Sequence, residues 1–146
     1  MSDKRYPCIV WICGGGWMRI DKSAHLSYLS TLAHQGFVVC SVEYRTSNEG
    51  CYPMQIEDVK AAIRYLKAHA DRYRIDKEHF GAMGESAGGF LTCMAAFDHD
   101  KAHDVGEYLE ESSSIQAACP WYPPTNLSTF KYKDSEECAA SMESLL

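Results

Sequence analysis

The run Cys8-Ile9-Val10-Trp11-Ile12-Cys13 is apolar at every position and stops at Gly14-Gly15-Gly16. A strand with one wet face alternates polar and apolar residues. An unbroken run of this length therefore marks a strand buried on both faces, as in a parallel sheet covered by helices on each side. The rest of the chain keeps to that plan. Leu26, Leu29 and Ala33 share one face of a helix over residues 22–35, with Gly36 where a C-terminal glycine cap belongs. Residues 37–42 form a β-branched, apolar second strand. Residues 46–53 are rich in turn formers and read as a loop. Over 54–72, Ile56, Val59, Ile63 and Leu66 recur at three- and four-residue steps. That spacing predicts a helix with Glu57, Lys60, Arg64 and Lys67 on the surface.

A short strand at 79–83, an apolar helix at 87–97 and a polar loop over 98–114, with room for a short helix, come next. The fourth strand is placed at 115–119, ended by Pro120, and residues 123–146 show no firm period. Alternating strands and helices imply right-handed crossovers. The expected class is α/β, a three-layer αβα arrangement around a mostly parallel sheet. At 146 residues, with no linker, repeat or low-complexity tract, the chain reads as a single domain over 1–146.

The chemistry centres on Gly84-Glu85-Ser86-Ala87-Gly88, followed by Gly89. It fits G-x-S-x-G, in which a serine on a sharp strand-to-helix bend is pushed out at the carboxyl end of a sheet. Chance would produce the pattern in a chain of this length at odds of roughly one in twenty. The apolar strand before it and the apolar helix after it therefore carry the weight. About seventy residues earlier, Gly14-Gly15-Gly16-Trp17 closes the first strand. Acyl transfer passes through an oxyanion that backbone N–H groups stabilise. The amides of Gly15, Gly16 and Ala87 are the expected donors, and Ser86 the expected nucleophile. Trp17, Glu85, Trp121 and Tyr122 stand at predicted carboxyl ends of strands, where open α/β sheets bind ligands. They are read either as the lining of a substrate pocket or as core.

With these motifs in order, the chain resembles the α/β-hydrolase esterases of the hormone-sensitive-lipase-like and bifunctional-feruloyl-esterase-like group. The matching segments are Cys13-Gly14-Gly15-Gly16-Trp17 for the HGGGW loop, Val42-Glu43-Tyr44-Arg45, and residues 55–66. Gly84-Glu85-Ser86-Ala87-Gly88-Gly89 and Tyr122-Pro123-Pro124-Thr125-Asn126-Leu127 match as well. The resemblance runs from about residue 6 to 128 and implies a small-molecule carboxylic ester as substrate, with no cofactor. Three departures stand out. Cys13 replaces the histidine before the glycines. Pro124 and Asn126 replace a glycine and an aspartate. The family also carries its catalytic aspartate and histidine on later strands and helices, and this chain ends at Leu146. The resemblance therefore implies a partial, truncated α/β-hydrolase fold with open sheet edges prone to self-association, or completed by a C-terminal segment.

The fold supplies its triad in the order Ser, Asp/Glu, His. Only His99 and His103 follow Ser86, beyond a helix that leaves the site at about 1.5 Å per residue, so neither is expected to be the base. His25, His34, His69 and His79 read as surface or satisfied core residues. Asp98-His99-Asp100 with His103-Asp104 reads as a solvated turn and not as a metal site. Two alternatives stay open: an esterase half, or a non-catalytic remnant serving as a binding or interaction domain. A nucleotide-binding Rossmann half is disfavoured, because Gly14-Gly15-Gly16 is not G-x-G-x-x-G.

Composition narrows the setting. A net charge of -6 offers no basic face to nucleic acid or acidic membranes. No apolar stretch is long enough to span a bilayer, and no secretion signal is evident. Residues 126–128 form a glycosylation sequon, which has little weight without such a signal. Seven cysteines without CxxC spacing read as free thiols in a reducing, cytoplasmic setting, with Cys8, Cys13, Cys40 and Cys119 in buried strands.

Overall fold

The computed structural model describes residues 4–98 and 101–127. The elements run β1 (Tyr6–Ile12), α1 (Leu26–His34), β2 (Val38–Val42), α2 (Met54–Ala68), α3 (Ala70–Tyr73), β3 (Ile75–Glu85) and α4 (Ser86–Phe97). A 3-10 turn at Lys101–His103 and β4 (Ala117–Trp121) complete the described chain. The four strands form one sheet in the order β2-β1-β3-β4, and each pairing is parallel. β1 lies inside, flanked by β2 and β3, which is why it has no polar position. Cys8, Val10 and Ile12 pack with Ile56, Val59 and Ile63 of α2 and Leu91 of α4. Trp11 and Cys13 pack on the other face with Leu29 of α1 and Met83. The three-layer αβα architecture thus follows from the strand that alternates between two cores.

Several boundaries differ from the sequence reading. The first helix starts at Leu26 and not at residue 22. Asp21 Oδ1 instead accepts the Ser23 N–H at 2.9 Å, and His25 sits at φ 60°, outside helical geometry. The long helix of 54–72 breaks at His69, whose φ of -104° separates α2 from α3. β3 is longer than expected, and β4 runs through Pro120 instead of stopping at it. Proline is tolerated there because β4 is the outermost described strand, where a missing N–H on the open side breaks no ladder bond.

The cysteines divide by position. Cys8 and Cys13 are buried and Cys40 is half-buried, but Cys119 is exposed, contrary to the buried-strand expectation, because β4 is the outermost of the described strands. Burial, reinforced by the nearby Cys40, pushes the Cys8 thiol up to about 12. It therefore stays protonated and packs as a small apolar group.

The largest correction concerns α2. Lys60, Arg64 and Lys67, expected on the surface, are 2%, 0% and 4% exposed. Residues 101–114 lie across them. Lys60 Nζ meets Asp98 Oδ2 at 3.0 Å and Asp104 Oδ1 at 3.4 Å. Arg64 Nη1 meets Asp104 Oδ1 at 2.8 Å, and its other nitrogens donate to the Glu107 and Val105 carbonyls. Lys67 Nζ donates to Ser114 O at 2.8 Å. Buried charges survive only when paired in this way.

Asp98 closes the network by accepting from His103 Nδ1 at 2.6 Å. Burial works to raise its pKa, but the hydrogen bonds and charges of His103 and Lys60 outweigh it and hold the carboxyl below its usual range. Such a group stabilises the fold above its unfolded pKa of about 3.9. That contribution is lost as pH falls through the lower folded value. In acid unfolding scans, wild type is expected to lose more stability below about pH 4 than Asp98→Asn, measured as urea midpoints. Parallel declines would show that the carboxylate contributes nothing.

Among the described residues, no helix is long and apolar enough to cross a membrane. No cluster of three His, Cys, Asp or Glu side chains there could hold a metal. His99, Asp100, Ser128 of the sequon and Cys138 lie outside the described residues.

Candidate active site

β3 ends at Glu85 and α4 begins at Ser86 with no residue between them. A chain that turns this sharply leaves ordinary backbone space, and Ser86 has φ 49°. A non-glycine residue in the left-handed region is a strained position of the kind found at functional sites. The turn is possible because neighbouring backbones come within side-chain distance. A Cβ added to Gly88 would lie 2.0 Å from Ile12 O and 2.7 Å from Cys13 O. The first turn of α4 therefore rests directly on the end of β1. Its open N–H groups, Ala87 among them, point toward the carboxyl end of the sheet.

The glycine loop faces the same bend. A Cβ on Gly14 would lie 2.9 Å from Glu85 O and 3.2 Å from Ser86 Cβ, so loop and serine touch. Gly15, Gly16 and Trp17 follow at φ 135°, 62° and 60°, three successive left-handed positions that turn the loop over. Met18 N–H donates to Gly15 O at 3.1 Å, and Ser47 N–H to Trp17 O at 2.7 Å. The Gly15 and Gly16 N–H groups have no acceptor among the described residues. Cys13 stands where the resemblance places histidine, and its carbonyl is held by the Tyr44 hydroxyl at 3.0 Å. Burial raises the pKa of both groups, so hydroxyl and thiol stay neutral.

The residues read as a pocket from sequence fall into two places. Trp17 is buried edge-to-face against Phe90, 5.7 Å between centroids. With Leu91, Met94, Tyr52 and Gln55 it lines a pocket of about 270 Å³. Phe90 stands four residues after Ser86, so this pocket lies about 6 Å along the α4 axis from the serine. Glu85, Trp121 and Tyr122 gather elsewhere. Glu85 accepts from Tyr122 OH, and its Oε1 lies 3.1 Å from His25 Nε2. Trp121 packs edge-on against Trp11 at 5.4 Å and Tyr28 at 5.5 Å. Glu85 is thus held between two partners.

Ser86 Oγ has no hydrogen-bond partner among the described residues. Of the described histidines, His25 engages Glu85, His69 the Tyr65 carbonyl, His79 Asp76, and His103 Asp98. His34 ends α1. Sequence reading missed Tyr52, Gln55, Phe90 and Met94. The one available signal was that Phe90 and Met94 follow Ser86 at i+4 and i+8, on one side of its helix.

A doubly covered parallel sheet with a serine elbow at its carboxyl end places the chain among the α/β-hydrolases, in their esterase group. Comparison with known proteins makes this particular: the BD-FAE family model matches residues 1–146, and the chain belongs to that family. Esterase LipC of Mycobacterium tuberculosis is 34% identical over 124 residues, covering 84% of this chain and 31% of LipC. A bifunctional GH43-CE protein of Bacteroides eggerthii superposes with TM-score 0.83 at 29% identity, covering 97% of this chain and 22% of that one. The apo form of Thermogutta terrifontis esterase 2 gives TM-score 0.81 at 27% identity, with 98% and 52% covered. The chain therefore spans about a third of LipC and about half of esterase 2.

Proposed function

We propose that this chain carries the nucleophile and oxyanion half of a carboxylic ester hydrolase acting on small-molecule esters by an acyl-enzyme route. Ser86 Oγ adds to the ester carbonyl, and the Gly15, Gly16 and Ala87 amides receive the developing oxyanion. Collapse expels the alcohol, and water then releases the acid and frees Ser86. A serine hydroxyl is a weak nucleophile until a base takes its proton. His25, His69, His79 and His103 are engaged elsewhere, and His34 ends α1 beside the start of β2, at the other end of the sheet, so that base is assigned to residues outside the described ones. The carrying observation is the left-handed Ser86 in contact with a glycine loop whose amides are open.

Fluorophosphonate labelling with peptide mass mapping tests this. The expected result is an adduct on the Ser86 peptide that Ser86→Ala abolishes. An adduct elsewhere, or none, counts against the proposal. The rate reports on the base. Rapid labelling lost in His99→Ala would identify His99, whereas a slow rate indifferent to that change assigns the base to another segment. The unpartnered Ser86 Oγ also favours a second reading, a binding module without turnover. Such a module would bind esters but give no Ser86 adduct.

A further inference from the structure

Glu85 ends β3 and stands immediately before Ser86. Its carboxylate draws together parts of the chain that are far apart in sequence. Trp121 of β4 is its register partner, and the next residue, Tyr122, donates its hydroxyl to Glu85 Oε2. The hydrogen bond to Glu85 raises the pKa of that hydroxyl, which keeps its proton and remains the donor. On the other side, His25 Nε2 lies 3.1 Å from Glu85 Oε1. A carboxylate only accepts, so His25 donates from Nε2.

Both donors sit on costly backbone. His25 has φ 60° and Tyr122 φ 37°, and Ser86 has φ 49°. Three non-glycine residues in the left-handed region thus meet around one side chain. Such conformations persist only where the surroundings over-determine them, and they gather at functional sites. Tyr122 is 67% exposed, so burial of its ring does not account for its geometry. The Glu85 carbonyl also abuts the glycine loop, since a Cβ on Gly14 would lie 2.9 Å from it.

We infer that Glu85 is a positioning residue for Ser86: Tyr122 and His25 clamp its carboxylate from two sides and so fix the strand-to-helix bend against the glycine loop. The inference rests on the ester-hydrolase reading for its effect on Ser86 chemistry, whereas the clamp itself is a property of the bend. A misplacement of about 1 Å at a reacting group costs on the order of a hundredfold in rate. A loosened clamp is therefore felt at Ser86 although neither Tyr122 nor His25 touches the reacting atoms.

The test is saturation kinetics of fluorophosphonate labelling on the full chain, comparing wild type, Tyr122→Phe, Glu85→Ala and the double variant. Each single change is expected to lower the limiting rate about tenfold, with the half-saturating concentration unchanged. In the double variant the losses should not add, because both act through one carboxylate. Glu85→Gln, which still accepts from Tyr122, should lie nearer to wild type than Glu85→Ala. A loss confined to the half-saturating concentration would overturn the inference, and so would a Tyr122→Phe loss undiminished beside Glu85→Ala. Either would mean that Tyr122 meets the ligand directly. Equal losses in Glu85→Gln and Glu85→Ala would overturn it too. If Glu85→Ala does not fold, Tyr122→Phe decides, its ring being exposed.

Amide hydrogen exchange reads the clamp apart from Ser86 chemistry. The Gly89 and Phe90 N–H groups close the first turn of α4. Both should exchange about tenfold faster in Tyr122→Phe, while residues 92–96 keep the wild-type rate. Unchanged exchange at Gly89 and Phe90 would overturn the inference. Faster exchange in a protein whose Ser86 forms no adduct would overturn the hydrolase reading and keep the clamp. A reactive Ser86 whose rate and first-turn exchange both ignore Tyr122→Phe would do the reverse.

Discussion

Gly88→Ala is expected to destabilise the fold by about 3 kcal/mol or more, beyond the usual range for one added methyl. The atoms the new Cβ would meet at 2.0, 2.6 and 2.7 Å are Ile12 O, Ile12 C and Cys13 O. All are backbone atoms of the central strand and its exit, so no side chain can rotate away. α4 must lift off β1, and Ser86, two residues earlier on the same turn, must lift with it. The variant should therefore lose fluorophosphonate labelling together with stability. Gly81→Ala is the control. On the neighbouring strand β3, its nearest neighbour would be Ala117 O at 3.5 Å, an ordinary contact, and its urea midpoint should stay within about 0.5 kcal/mol of wild type. Matching urea curves for the two variants would show that the close approach of α4 to β1 is not what limits this position.

Arg64→Met is the second change of large effect. It strips Asp104 of its 2.8 Å partner and leaves the Glu107 and Val105 carbonyls without their donor. Lys60, at 3.4 Å, is the remaining cation on Asp104. Removing one member of a buried ion pair costs about 3–5 kcal/mol, because the other stays buried and uncompensated. The exposed pair Arg5–Asp71, with side chains 48% and 89% accessible, sets the scale for comparison. Arg5→Met should cost about 1 kcal/mol or less. Chemical denaturation of the two variants, read by far-UV circular dichroism, checks the contrast. Similar losses would mean that residues 101–114 are held to α2 by something other than this network.

The parts of the molecule that could be read from sequence are those whose signal is local. The apolar stretch at Cys8–Cys13 marked the inner strand because burial on both faces removes polar residues from consecutive positions. Gly84-Glu85-Ser86-Ala87-Gly88 marked the elbow because the bend itself requires small neighbours. The misread parts depend on distant partners. Lys60, Arg64 and Lys67 look like a solvated face until Asp98, Asp104 and Ser114 arrive some forty residues later. The partner of Glu85 is equally distant in sequence: His25, sixty residues before it, engages its carboxylate. Gln55 carried no mark at all. At the start of an amphipathic helix a glutamine is unremarkable, and only the packing around it turns its amide oxygen into a buried acceptor.

The position of β1 in the sheet also bears on how the chain leaves the ribosome. β1 is made before either neighbour, for its register partners are residues 38–42 on one side and residues through 84 on the other. At about 5–20 residues per second, roughly 4 to 15 seconds pass between completion of β1 and appearance of the end of β3. For that interval the most apolar segment of the chain has at most one neighbour. The strand that organises the finished sheet is thus the one most in need of shelter during synthesis, and conditions that slow elongation through residues 43–85 should lower the yield of folded protein.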